Sequence, residues 1–234
     1  MSRHHAIATA ALLGLALSGT ASANLIVNGS FEDGLNNWTY NNGENPPGGT
    51  NLFPPVAITY GAAAPYPTGA FGEAVPQNDA PTLSPDAVGN HAAYFVSDFA
   101  NNPYQSLSQS ITIVNAGTYQ IGFSAYAPLN GYNNAGDAEF SGVIAGITLA
   151  NYSVKGGLAQ TWETFSGSVN LAPGSYDVEF IFFTDLFPSA DIVIDQVYVI
   201  LDPVQVPAPA TLALLGLGLF GLGVAQRRGR RQAA

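Results

Sequence analysis

The chain has 234 residues, 47% of them apolar and only 9% charged, with a formal net charge of −10 and no cysteine. All sixteen acids lie between Glu32 and Asp202, a stretch whose single base is Lys155. Such a body lacks the basic face that nucleic-acid phosphates or anionic lipids require. The missing cysteines exclude disulfides, a thiol nucleophile and thiolate metal sites.

The start reads as an export signal. Arg3 precedes an apolar run from Ala6 to Leu17, and the small residues Ala21, Ser22 and Ala23 follow. A basic start, a short apolar stretch and a small-residue site describe a signal peptide over residues 1–23, cleaved after Ala23. The mature chain then opens at Asn24. Roughly 180 residues remain for the body, enough to bury a core without disulfides.

Residues 24–202 are expected to form one β-rich domain. Leu25–Val27 reads as a short strand before an Asn-Gly turn, with Phe31, Glu32 and Trp38 beyond it. Residues 41–90 are rich in Pro, Gly and Asn, a composition that excludes central strands and helices. Strands are expected at 92–97, 106–114, 118–125, 140–149, 164–171, 176–183 and 192–201, with no sustained helical periodicity between them. The predicted fold is therefore all-β: an antiparallel β-sandwich of jelly-roll type, with helix confined to the terminal apolar segments. One internal echo fits this picture. Ile111–Phe123 parallels Val169–Phe180, so that Gly117-Thr118-Tyr119 matches Gly174-Ser175-Tyr176. These read as two equivalent hairpins, with the glycines supplying positive φ.

Residues 203–234 have three parts. Val206, Pro207, Ala208, Pro209 and Ala210 form an extended element. Residues 211–225 are an unbroken apolar run, and Arg227, Arg228, Arg230 and Arg231 close it. Those fifteen apolar residues fall short of the about 20 that span a bilayer. Arginines stay on the cytoplasmic side, so a transient rather than permanent transmembrane insertion is expected. The order of Pro-rich motif, Gly-rich apolar segment and Arg cluster resembles the PEP-CTERM sorting tail of Gram-negative bacteria. Ala208 stands where that family usually has glutamate. The resemblance implies export to the cell envelope, surface or extracellular matrix, and an exosortase-type processing enzyme as partner.

Asp195 is the most informative single acid. It shares strand parity with Val193, Val197 and Val199, and so points where apolar residues point. A buried, unpaired carboxylate is costly, and Lys155 is the only base in the body. A hard cation such as Ca²⁺ would relieve it; exposure or capping of backbone amides are the alternatives. The opening NLIVNGSFEDG with Trp38, the Gly117-Thr118-Tyr119 turn, Trp162 to Phe165 and Ile194 to Val197 together resemble carbohydrate-binding, galactose-binding-like jelly rolls. That resemblance implies a structural calcium held by Glu32 and Asp195.

No catalytic residue is assigned. Asp137 with Glu139, and Asp177 with Glu179, alternate along strands, which reads as a wet strand face rather than two carboxylates across a cleft. His91 is the one histidine left after signal removal, and no nucleophile motif accompanies it. Trp38, Tyr40 and Tyr132 are the candidate ligand-stacking aromatics, with core packing the competing destination for Trp38. The expected function is that of an exported, non-catalytic surface or matrix protein. A module binding extracellular polysaccharide is the alternative, and a glycan hydrolase a minor one.

Overall fold

Alternating apolar residues decide the architecture. The computed structural model describes residues 23–42, 53–84, 89–97, 104–184 and 186–202. Its strands are β1 Thr39–Asn42, β2 Val56–Thr59, β3 His91–Phe95, β4 Tyr104–Ile113, β5 Gly117–Tyr126, β6 Ala138–Ile144, β7 Ile147–Ser153, β8 Glu163–Leu171, β9 Gly174–Thr184 and β10 Ile192–Leu201. They form two five-stranded antiparallel sheets, ordered β1-β4-β9-β6-β7 and β2-β3-β10-β5-β8. The expected sandwich is present.

Inward positions of both sheets make the main core. Leu107 and Ile111 of β4, Phe140 of β6, and Phe180 and Phe182 of β9 face Ile121 and Phe123 of β5 and Phe95 of β3. Phe123 meets Phe180 edge-on with ring centroids 4.9 Å apart. Each fully buried side chain of this size stabilises the fold by about 1.5–3 kcal/mol.

Where local pattern misleads, the reason is physical. Residues 140–149 are not one strand but most of a hairpin, β6–β7, whose turn places Ala145 and Gly146 at φ 50 and 78. Positive φ at both central residues matches strand twist in a two-residue hairpin, and the small apolar pair conceals the turn in the sequence. Leu25–Val27 forms no strand; Asn24 makes only an isolated bridge to Ile200. The Pro-rich segment does hold a strand, β2, but at a sheet edge, where proline is tolerated. That segment also has a purpose. Its Ile58, Ala70 and Val75 pack on Tyr94, Tyr126 and Val193 as a second core over the outer face of the second sheet.

The internal echo is real, but its units are not hairpins. β4 lies in the first sheet and β5 in the second, while β8 and β9 cross the other way. The two crossings lie side by side, with Ile113 opposite Gly174 and Gly117 opposite Leu171. Tyr119 donates its hydroxyl to the Asn115 carbonyl at 2.8 Å, and Tyr176 to that of Ala172 at 3.1 Å. Both are tyrosine corners of the kind found in sandwich folds. Neither Gly117 nor Gly174 has positive φ. At Gly117 the constraint is space, because a Cβ would sit 2.7 Å from Leu201 Cδ1.

Helix among the described residues is limited to α1, Leu129–Tyr132, and a 3-10 turn at Val154–Gly156. Among the described residues no helix is long and apolar enough to cross a membrane. The expected signal peptide before Ala23 and the sorting tail from residue 203 lie outside the described residues.

Candidate functional site

Asp195 sits at a β-bulge. The register of β10 against β5 shifts between Asp195 and Tyr198, and Gln196 takes φ 56. Parity therefore breaks there. Val193 belongs to the second core and Val197 and Val199 to the first. Asp195 keeps the Val193 side, facing the Pro-rich cover rather than the space between sheets, and is 2% exposed. Its Oδ2 accepts the Tyr60 hydroxyl at 2.6 Å, and its Oδ1 has no hydrogen-bond partner. Asn78 lies near enough to favour the charged form, yet its Nδ2 makes no hydrogen bond of good geometry. Burial pushes the Asp195 carboxyl up to about 7; Tyr60, the Gln196 amide and Asn78 oppose it, and the Glu32 charge adds to it.

Glu32 is held beside this cluster by the start of β3. Its Oε1 accepts the Asn90 and His91 amides, both at 2.8 Å, and its Oε2 lies 3.2 Å from His91 Nδ1. Burial raises its carboxyl pKa, but the two amides and the His91 ring outweigh that and leave it below the ordinary value. Gly89 leaves the room that Glu32 occupies. The pair is thus within electrostatic reach. The orphaned Oδ1 of Asp195 is an open carboxylate oxygen, the donor type a hard cation takes. Glu32 contributes charge more than open oxygen, since N–H donors already occupy it. Among the described residues no three His, Cys, Asp or Glu gather at one point.

The three candidate aromatics part company. Trp38 is 6% exposed, donates Nε1–H to the Asn28 carbonyl at 3.1 Å and packs on Phe31 and Phe180. It is a core residue, which corrects its candidacy as a ligand contact; the turn before β1 delivers it inward. Tyr132 is half-buried against the core and donates its hydroxyl to the Lys155 carbonyl at 3.0 Å. Only Tyr40, 53% exposed on edge strand β1, presents an open ring.

The alternating acids are largely structural. Asp137 accepts the Ala138 amide at 2.7 Å, the Lys155 amide at 3.1 Å and the Ser153 hydroxyl, while Asp177 accepts the Ser110 hydroxyl. Glu139 pairs across to Phe183, and Glu179 to Val143 and Ser108, on one outer sheet face rather than across a cleft.

That outer face of the first sheet is what strand-by-strand reading misses. The registers align Tyr104, Phe183, Glu139 and Ser153 in one row, and Ser106, Ile181, Ser141 and Asn151 in the next. Beyond them a depression of about 270 Å³ is lined by Thr39, Ser108, Ser110, Asp177 and Glu179. Alternation in β4 and β9 identifies each outward residue; only the pairing shows that they converge.

The described domain is a jelly-roll sandwich with one covered and one open outer face. Residues 205–231 match the family described as PEP-CTERM protein-sorting motif. That motif marks an exported protein, sorted to the cell envelope of Gram-negative bacteria and processed by an exosortase. No curated protein matches the chain in sequence. Among solved structures, TmCBM61 in complex with β-1,4-galactotriose is similar at 15% identity and a TM-score of 0.45, over 77% of this chain and 100% of that one. The K1 cleaved adhesin domain of Lys-gingipain from Porphyromonas gingivalis W83 is similar at 16% identity and a TM-score of 0.43, over 74% and 96%. The enzymatically active domain of bacteriophage CBA120 tailspike protein 4 is similar at 17% identity and a TM-score of 0.46, over 76% of this chain but 21% of that one. At this distance the likenesses assign no function.

Proposed function

We propose that this exported protein acts as a non-catalytic component of the bacterial surface or extracellular matrix. The carrying observation is the sorting motif at 205–231, which follows a sandwich whose buried and alternating acids serve its own structure. Mass spectrometry of the protein recovered from cell fractions tests this. A chain starting at Asn24, shortened within 205–231 and found outside the outer membrane is expected. A peptide intact through Arg231 in the inner membrane would sink the sorting step.

A second reading, glycan binding, draws on the open face. Its row of Tyr104, Phe183 and Glu139 offers rings and acceptors to a polysaccharide chain. Polysaccharide pull-down weakened by Tyr104→Ala and Phe183→Ala, at unchanged melting temperature, is expected on this reading. Retention on no polysaccharide from the producing cells defeats it. A structural calcium held by Asp195 and Glu32 completes the proposal: it would keep Asp195 ionised beneath its cover and fasten the cover to β10.

A further inference from the structure

At the end of the sandwich where β5 runs into α1 and β9 turns into β10, the loops enclose a second cavity. Phe71, Asn130, Gly131, Asn134, Pro188 and Asp191 line it. Its volume is about 200 Å³, roughly the share of seven waters at about 30 Å³ each, and the bulk of one pyranose with its hydroxyls.

Each wall is fixed. Asp191 forms the floor, 2% exposed, accepting the Tyr94 hydroxyl on Oδ2 at 2.5 Å. A side chain at Gly131 would run into Asp191, so α1 lies over the carboxylate only because that residue is glycine. Asn130 donates to the Ala70 carbonyl at 2.6 Å and Asn134 to that of Ser189 at 2.7 Å, which orients both amides in advance. Glu73 holds the helix in place by accepting the Leu129 amide at 3.0 Å and the Asn130 amide at 2.8 Å. Pre-fixed polar groups lose little freedom on binding.

The rim is apolar. Phe71 is 40% exposed and stacked on Tyr66, and the same loops expose Leu129, Leu186 and Phe187. A concave site with an aromatic wall and a few oriented polar groups suits a sugar, which has apolar C–H faces and an equator of hydroxyls. Charge narrows the class. Among the described residues of the lining, Asp191 is the only ionisable one. The body's one lysine donates its ammonium to the Asn134 carbonyl, outside the lining. Residues 24–202 carry sixteen acids against that lysine. A uronate or sulfated sugar would meet like charge.

We propose that this loop-end pocket binds one uncharged pyranose unit and excludes anionic sugars. This rests on the glycan reading but names a site separate from the open sheet face. The test titrates the full mature protein with β-1,4-linked tetrasaccharides of galactose, glucose and mannose and with a hexuronate tetramer, by calorimetry and hydrogen exchange. At least one neutral tetramer is expected to protect amides in 128–134 and 186–191. The uronate is expected to bind at least about tenfold more weakly, equivalent to about 1.4 kcal/mol. Phe71→Ala and Asp191→Asn should each weaken the neutral ligand about tenfold or more. Should Asp191→Asn fail to fold, Phe71→Ala and the wild-type footprint decide. Equal binding of the uronate overturns the proposal. So does protection confined to β4, β6 and β9, lost in Tyr104→Ala but not in Phe71→Ala, which leaves the glycan reading standing. Binding of no tetramer by either region overturns both.

Discussion

Replacing Asp195 by asparagine isolates the energetics of the buried acid. Burial moves its carboxyl from 3.8 to about 7, a displacement equivalent to about 4 kcal/mol. Because the folded-state value is raised, the stability it contributes is complete below 3.8 and disappears as pH rises through about 7. In chelator the wild type should therefore lose about 1.4 kcal/mol per pH unit across that window from this group alone. The amide of the Asp195→Asn variant would still accept the Tyr60 hydroxyl through its oxygen but cannot ionise, so the variant should lack that slope. At pH 8 it should outlast the wild type by up to about 4 kcal/mol, or roughly 10 °C in melting temperature for a domain of this size. The assay is urea unfolding from pH 4 to 8, with and without added Ca²⁺. Calcium should restore the wild type at pH 8 and leave Asp195→Asn unmoved. Parallel pH curves for the two proteins in chelator would refute the burial argument, and a wild type indifferent to Ca²⁺ would refute the cation.

Other predictions concern the frame. Asn24 donates to the Val197 carbonyl at 2.9 Å and accepts the Ile26 amide at 3.1 Å and the Val199 amide at 2.9 Å, so Asn24→Ala should cost about 2 kcal/mol in chemical unfolding. Gly142→Ala should cost about 1–3 kcal/mol, since the added Cβ would lie 2.6 Å from Phe123 Cζ; an unshifted midpoint would mean the core yields there. Tyr119→Phe should destabilise by about 1 kcal/mol and Tyr176→Phe by less, its bond being exposed, as paired denaturation curves would show. Glu139→Gln should leave any reducing-sugar release at background, as in wild type; activity that vanishes in the variant would reopen hydrolysis.

Period-two alternation in β4, β8 and β9 made the sandwich legible, because buried and more open positions take turns along each of them; β5 alternates only at its start and is buried on both faces from Ile121 onward. The hairpin turn at Ala145–Gly146 was not, since neither residue breaks the apolar run. Asp195 was recognised as buried, but its direction was not: a bulge at Gln196 leaves no mark in a strand that is apolar on both sides. The twin corners show the same limit from the other side. Strand, small turn, strand is one local pattern whether the chain folds back within a sheet or crosses to the facing one, and only partners distant in sequence decide. Asp191, Asn130 and Asn134 escaped notice because the pocket forms from three loops whose spacing carries no period. Trp38 had two destinations in the sequence, and the space beside Phe31 and Phe180 chose the core.

Strand β10 runs its ten residues from Ile192, next to the pocket floor, to Leu201, one residue beyond Ile200, where Asn24 bridges. At about 3.3 Å per residue its nine steps make a separation of about 30 Å. The pocket and the point where the chain leaves the domain therefore lie at opposite tips of a single central strand. A pull applied between them would load β10 lengthwise, shearing its ladders to β3 and β5 together instead of unzipping them bond by bond. A domain loaded this way should yield later under tension between those two points than one whose strands peel apart from an edge.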